Sequence, residues 1–260
     1  MEDIDNMRNE FLRKLYFGLF VLLISINLFP EDLKIQQETT GPIKTNCYLL
    51  YDTVSKEAAI IDCGGPVNAL IETIEKENLT LKYILITHGH IDHVEGVPEL
   101  KKQFPEARLC ITKPDYDDFL QYQVWCKENA EKSKTAKFML ETPEFKQWFE
   151  YDLSDFITPD IFIDDAGEFK LGDKAIRFIY TPGHSRGSIS YLVNNNLFSG
   201  DLLFIKGSGV IDMLGSSQED FDKTIKMLLE MLPDETTVYR GHGKSIKFGE
   251  GKKENWWVKP

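Results

Sequence analysis

No Cys-x-x-Cys pair occurs in this chain: Cys47, Cys63, Cys110 and Cys126 are scattered, so neither a thiolate zinc site nor a disulfide framework is indicated. Basic stretches are missing as well. The net charge is -12, and Arg13-Lys14, Lys101-Lys102 and Lys252-Lys253 are isolated pairs, a balance that repels phosphate backbones and argues against a nucleic acid partner. Long apolar runs are confined to one place, residues 15–29, preceded by Arg13-Lys14 and closed by Pro30-Glu31-Asp32. That charge asymmetry would keep the amino end in the cytoplasm. As a helix the run is about 22 Å long against a hydrocarbon core of roughly 30 Å, with Phe11 and Leu12 available to extend it. No Ala-x-Ala-like cleavage site follows. The expectation is membrane anchoring through residues 11–29, with a cytoplasmic helix or strand packed on the domain as the alternative.

What is present suits one domain. A chain of 260 residues with 42% hydrophobic content can bury a sizeable core, and the natural division is an N-terminal segment, 1–32, followed by a domain over 33–260. Histidine is scarce, at five residues, and three of the five fall in Thr87-His88-Gly89-His90-Ile91-Asp92-His93-Val94-Glu95-Gly96. The preceding Tyr83-Ile84-Leu85-Ile86 reads as a buried strand, which puts the histidines on the loop leaving its end. His88 and His90, two apart on extended backbone, point the same way. Asp92 and His93 then turn toward a helix over 94–104, so the four side chains can split between two neighbouring ions. The remaining histidines, His184 in Thr181-Pro182-Gly183-His184 and His242 in Arg240-Gly241-His242-Gly243, each follow a strand-like run and have glycine beside them. Glycine lets backbone come close to an ion without a Cβ in the way. Asp201 closes another strand-like segment, 197–201.

On these residues the chain resembles the metallo-β-lactamase-fold hydrolases, in particular their glyoxalase II-like branch. The resemblance rests on Asp62 with Gly64-Gly65, on His88-x-His90-x-Asp92-His93, and on His184, Asp201 and His242 in that order. Thr45-Asn46-Cys47-Tyr48-Leu49 and Ser199-Gly200-Asp201-Leu202-Leu203-Phe204 extend it. It implies an αββα four-layer sandwich of two mixed sheets with helices outside; the residue pattern alone supports only an α/β class. It further implies that His88, His90 and His184 hold one metal ion, that Asp92, His93 and His242 hold a second, that Asp201 bridges them, and that Asp62 orients a ligand histidine. Nitrogen and oxygen donors of this kind suit two Zn2+ ions, with iron or manganese also accommodated.

Along the chain, strands are expected at 33–37, 47–51, 58–61, 108–112, 161–163, 168–171, 175–180, 188–193, 197–199 and 236–239, with helices at 67–78 and 219–231. Residues 113–157 form a helical insertion, rich in Tyr, Trp and Phe, with helices over 115–137 and 143–156. It reads either as a lid or partner surface or as two extra helices packed on the domain. The implied chemistry is hydrolysis of a small-molecule thioester, such as an acyl-glutathione, by a metal-bridging hydroxide, with Asp92 as proton acceptor. A single-iron persulfide dioxygenase and a lactonase or β-lactamase-type hydrolase are the alternatives. Cys63, beside Asp62, reads as a small buried thiol.

Overall fold

The computed structural model describes residues 32–153, 156–164, 167–204, 207–208 and 211–254. The apolar run at 15–29, and with it the anchoring expectation for residues 11–29, lies outside the described residues. No helix among the described residues is long and apolar enough to cross a membrane.

Two six-stranded mixed sheets face each other. The first has the order β1 (Leu33–Thr40), β2 (Thr45–Asp52), β3 (Glu57–Ile61), β4 (Thr80–Leu85), β5 (Arg108–Thr112) and β6 (Ile161–Ile163). It is antiparallel as far as β3 and parallel from β3 to β6. The second sheet contains β7 (Gly167–Leu171), β8 (Lys174–Tyr180), β9 (Ile189–Val193), β10 (Asn196–Phe198), β13 (Thr237–Tyr239) and β14 (Ile246–Lys247). Its order is β14-β13-β10-β9-β8-β7, and only its β10–β13 pairing is parallel. A short ribbon of β11 (Leu203–Phe204) and β12 (Gly207–Ser208) stands apart.

Period-two alternation builds the layers. Along β2, Tyr48 and Leu50 enter the core between the sheets, where they meet Ile61 and Leu85 from the first sheet and Ile176, Tyr191 and Phe198 from the second. The alternate residues Cys47 and Leu49 face outward with Ile60, Ile84 and Leu109. There they are covered by Leu70 and Ile74 of α1 (Asn68–Lys76) and by Val97 and Leu100 of α3 (Val97–Gln103). On the far side, Leu197 and Val238 pack under Phe221, Ile225 and Leu228 of α7 (Gln218–Met231). Each such side chain contributes about 1.5–3 kcal/mol on burial. The result is the helix–sheet–sheet–helix sandwich. Every described cysteine is a free, buried thiol.

Three helices differ from the pattern read along the chain. The one expected over 94–104 is divided into α2 (Ile91–Val94) and α3, with Gly96 between them and Pro98 in the first turn of α3. The one expected over 115–137 is divided into α4 (Lys113–Asn129) and α5 (Lys134–Glu141). Ser133 caps α5 by accepting from the Ala136 amide at 2.9 Å, and the Asp212 carboxylate takes the Lys134 and Thr135 amides at 2.9 and 3.3 Å. These bonds satisfy amides that a helix start leaves unpaired. The third, expected over 143–156, is a 3-10 turn (Pro143–Phe145) and α6 (Lys146–Glu150). Gln123 Nε2 donates to the carbonyls of Trp148 and Tyr151 at 2.6 and 2.7 Å, occupying acceptors that a longer helix would need. A closing helix, α8 (Phe248–Glu254), follows β14. The aromatic face of the segment between β5 and β6, including Phe119, Tyr122, Phe145, Trp148 and Phe156, is buried in the core outside the first sheet.

Candidate metal centre

All seven residues singled out above converge at one end of the sandwich. Four loops deliver them. The turn after β4 carries His88 and His90 and runs into α2 with Asp92 and His93. The loop from β8 to β9 carries His184, while Asp201 follows β10 and His242 follows β13. His88, His90 and His184 form one group, and Asp92, His93 and His242 another, with ligand atoms inside each group within 4.8 Å of one another. A third such group, His88, His93 and Asp201, joins them. Asp201 Oδ2 lies 3.8 Å from His184 Nε2 and 3.3 Å from His242 Nε2, and its Oδ1 lies 3.5 Å from His93 Nε2.

Hydrogen bonds fix which ring nitrogen faces inward. His93 Nδ1 donates to Asp62 Oδ2 at 2.8 Å, because a carboxylate only accepts. Asp62 also takes the Thr87 amide and the Thr87 hydroxyl, both at 2.8 Å. With its one proton given to Asp62, Thr87 Oγ1 can only accept from His88 Nδ1, 3.0 Å away. His242 Nδ1 donates to the Ile43 carbonyl at 3.1 Å. In each neutral ring Nε2 is then a lone pair aimed at the centre. His88 Nε2, His93 Nε2 and Asp201 Oδ1 are buried and have no hydrogen-bond partner among the described residues.

This geometry is what a metal needs. His93 Nε2 faces Asp92 Oδ2 at 3.3 Å and Asp201 Oδ1 at 3.5 Å, and His184 Nε2 faces His90 Nδ1 at 2.9 Å. Lone pairs so placed repel unless a proton or a cation lies between them. The cradle also depends on a missing side chain: a Cβ on Gly241 would lie 2.0 Å from Asp201 Oδ1 and 2.8 Å from His93 Cε1. Imidazole and carboxylate donors of this number and burial fit divalent metal ions.

Electrostatics divides the two groups. Burial pushes the His88 and His90 imidazoles down, His90 to about 3, and the neighbouring imidazoles push the same way. Burial acts on the other group too but is outweighed. Asp92, Asp62 and Asp201 raise His93 well above the ordinary histidine range, and Asp201 and Asp92 hold His242 at about 10. Burial would raise Asp92, yet His93 and His242 bring it to about 2, and Thr45 Oγ1 donates to its Oδ2 at 2.7 Å.

One residue of the site was not singled out from the sequence. Asp115, in the first turn of α4, is 1% exposed. Its Oδ2 accepts from the Gly89 amide at 3.0 Å and the Ser185 hydroxyl at 2.8 Å, and its Oδ1 from the Gly187 amide at 2.8 Å. It therefore ties the loop of His88 and His90 to the loop of His184. Burial pushes its carboxyl up to about 6. In the sequence it is an ordinary first-turn acid after Pro114, and no local pattern marks it. Cys63 is buried, its Sγ 3.5 Å from the Gly65 carbonyl, and burial raises its thiol well above the usual range.

With that geometry in view, residues 40–242 match the model of the metallo-beta-lactamase superfamily. The chain belongs to this superfamily. It is 32% identical over 214 residues to hydroxyacylglutathione hydrolase GloC of Haemophilus influenzae, covering 81% of this chain and 91% of that protein. It is 28% identical over 213 residues to the probable polyketide biosynthesis zinc-dependent hydrolase PksB of Bacillus subtilis, covering 78% and 79%. Among solved structures, the BLEG-1 B3 metallo-beta-lactamase superposes with a TM-score of 0.69 at 28% identity, covering 87% of this chain and all of that one. The chain is thus a metallo-hydrolase by superfamily, built on the fold that its histidine and aspartate pattern implied.

Proposed function

We infer that this superfamily member hydrolyses a thioester at a centre of two metal ions, Zn2+ by preference. The observation that carries the reading is the pair of groups, His88/His90/His184 and Asp92/His93/His242, with Asp201 in reach of both. Likeness to a protein named as a hydroxyacylglutathione hydrolase supports the thioester, and likeness to one named as a zinc-dependent hydrolase supports zinc. Bound there, the ions supply a water acidified toward neutrality and a Lewis acid for the carbonyl oxygen.

The chain's own groups do the rest. Asp62 and Thr87 hold His93 and His88 in one tautomer, so that their inward nitrogens stay available. Asp92 is kept ionised and is the group placed to take the proton from the attacking water. Thr45 fixes the orientation of that carboxylate through its 2.7 Å bond. Two side chains near the site that could act as nucleophiles are otherwise engaged: the Ser185 hydroxyl donates to Asp115, and burial holds the Cys63 thiol protonated. A single-iron dioxygenase would use only part of the donor set.

The test is metal content measured on the purified full chain together with turnover of a thioester, a lactone and a β-lactam. Two equivalents of zinc and hydrolysis of the thioester in preference to the other two are expected. Turnover of the lactone or lactam alone, or oxygen uptake with a persulfide and one bound iron, would overturn the assignment.

A further inference from the structure

Between α2 and the segment that joins β5 to β6 the packing leaves three gaps. A surface cavity of about 240 Å³ is lined by Ile91, Glu95, Pro98, Trp148, Tyr151 and Phe156. Behind it lies a void of about 10 Å³ that shares Ile91 and Trp148 with the cavity and adds Tyr122 and Phe119. A second void of about 10 Å³ shares Tyr122 and Phe119 and reaches His90 and Gly89. Each void holds at most about one water. Well-packed interiors leave few such gaps, and these three lie along one seam. The seam ends at the metal centre: Ile91 stands between His90 and Asp92, and the Tyr122 ring centroid is 5.5 Å from that of His90.

Apart from Glu95 the lining side chains are aliphatic or aromatic, and they are held in place. Trp148 is stacked on Phe145, with ring centroids 4.7 Å apart and planes at 19°, and its Nε1 donates to Glu95 Oε2 at 2.6 Å. Gln123 fixes the Trp148 and Tyr151 carbonyls from α4. Opposite them stand Ile91 at the start of α2, Glu95 at its C-terminal end and Pro98 in the first turn of α3.

The geometry points to an acyl-binding site: the apolar acyl group of the substrate lies between Ile91 and Pro98 on one side and Trp148, Tyr151 and Phe156 on the other. This rests on the thioester reading. Charge selects the acyl half over the thiol half. The Glu95 carboxylate forms part of the wall and the chain carries a net charge of -12, so a thiol carrying carboxylates, as glutathione does, is repelled from the cavity. An aliphatic or aromatic acyl group meets no such barrier and gains from burial.

The experiment uses the zinc-loaded full chain and acetyl, butanoyl, hexanoyl and phenylacetyl thioesters of N-acetylcysteamine, an uncharged thiol. Each buried methylene supports about a fourfold gain in kcat/KM, so the hexanoyl ester is expected to exceed the acetyl ester by at least about tenfold. Ile91→Trp, which fills the cavity, and Tyr151→Glu, which charges its exposed rim, are each expected to lower the hexanoyl-to-acetyl ratio by about tenfold. Tyr151 is 39% exposed, so its variant is read even where Ile91→Trp does not fold. Thioester turnover with a flat ratio, or a gradient that both variants keep, overturns the acyl site and leaves the thioester reading standing. Absence of turnover with every thioester overturns the thioester reading instead. The cavity is then decided by tryptophan fluorescence of the wild type and Trp148→Phe titrated with the unhydrolysed esters. A quench that grows with acyl length and is lost in Trp148→Phe supports it; no quench removes it.

Discussion

The two halves of the centre are built differently, and the difference tells how they would behave without metal. His88, His90 and His184 make an all-imidazole group, and burial drives His88 and His90 to stay neutral. Asp92, His93 and His242 include a carboxylate, and there the charges outweigh burial and draw protons onto the rings. A cation entering the first group meets free lone pairs. One entering the second must displace protons, so its binding at neutral pH is coupled to proton release. Asp201 serves both groups, Asp62 supports one member of each, and Asp115 braces the loops of the first alone.

Substitutions that follow this division should separate the two halves. Asp201→Ala is expected to have the largest effect, loss of metal together with a fall in kcat/KM of about a thousandfold; an apo-like variant that keeps its turnover would falsify the shared role. Asp62→Ala removes the partner of His93 and, through Thr87, that of His88. It should weaken metal binding in both groups by about 10- to 100-fold, as measured by competition with a chelating dye. Asp115→Asn keeps the size of the side chain but turns one acceptor into a donor facing amides. A loss of about tenfold confined to the His88/His90/His184 group is expected; equal loss at both groups would show that Asp115 serves the fold as a whole.

The smallest effect is a pH profile of the chelated protein. His90 has a folded pKa of about 3, below the unfolded value near 6.5. Its unfolded form binds more protons in that window, so stability is lost as pH falls from about 6.5 toward 3. His242 is the reverse case. Its folded pKa of about 10 lies above the unfolded value, so its contribution is fully present below about 6.5 and is lost as pH rises through about 10. The melting temperature of metal-free protein should therefore peak near neutrality. His90→Ala should flatten the acid limb and His242→Ala the alkaline limb, and a profile unchanged in either variant would remove the distinction between the two groups.

Much of this was readable along the chain because the signals are local. The strands came from period-two runs such as those of β2 and β8, and the sandwich from the family resemblance that the motifs around His88, Asp201 and His242 carry, the residue pattern alone reaching only an α/β class. Helix ends inside the segment between β5 and β6 were not readable, since the start of α5 is set by Asp212 and the end of α6 by Gln123, both distant in sequence. Asp115 was hidden for the same reason: its partners are backbone amides of loops far along the chain.

By itself the sequence determined the donors. Five histidines, all placed beside turns after apolar runs, together with Asp92 and Asp201, state which atoms are available and in which order, because ligand chemistry is a property of residue type. Only the tertiary structure decided how they combine. The distances that put Asp201 between two groups, the tautomers set by Asp62 and Ile43, the brace of Asp115 and the cavity beside Ile91 arise where separate loops meet. Such contacts are fixed by the packing of two sheets, which no single stretch of chain contains.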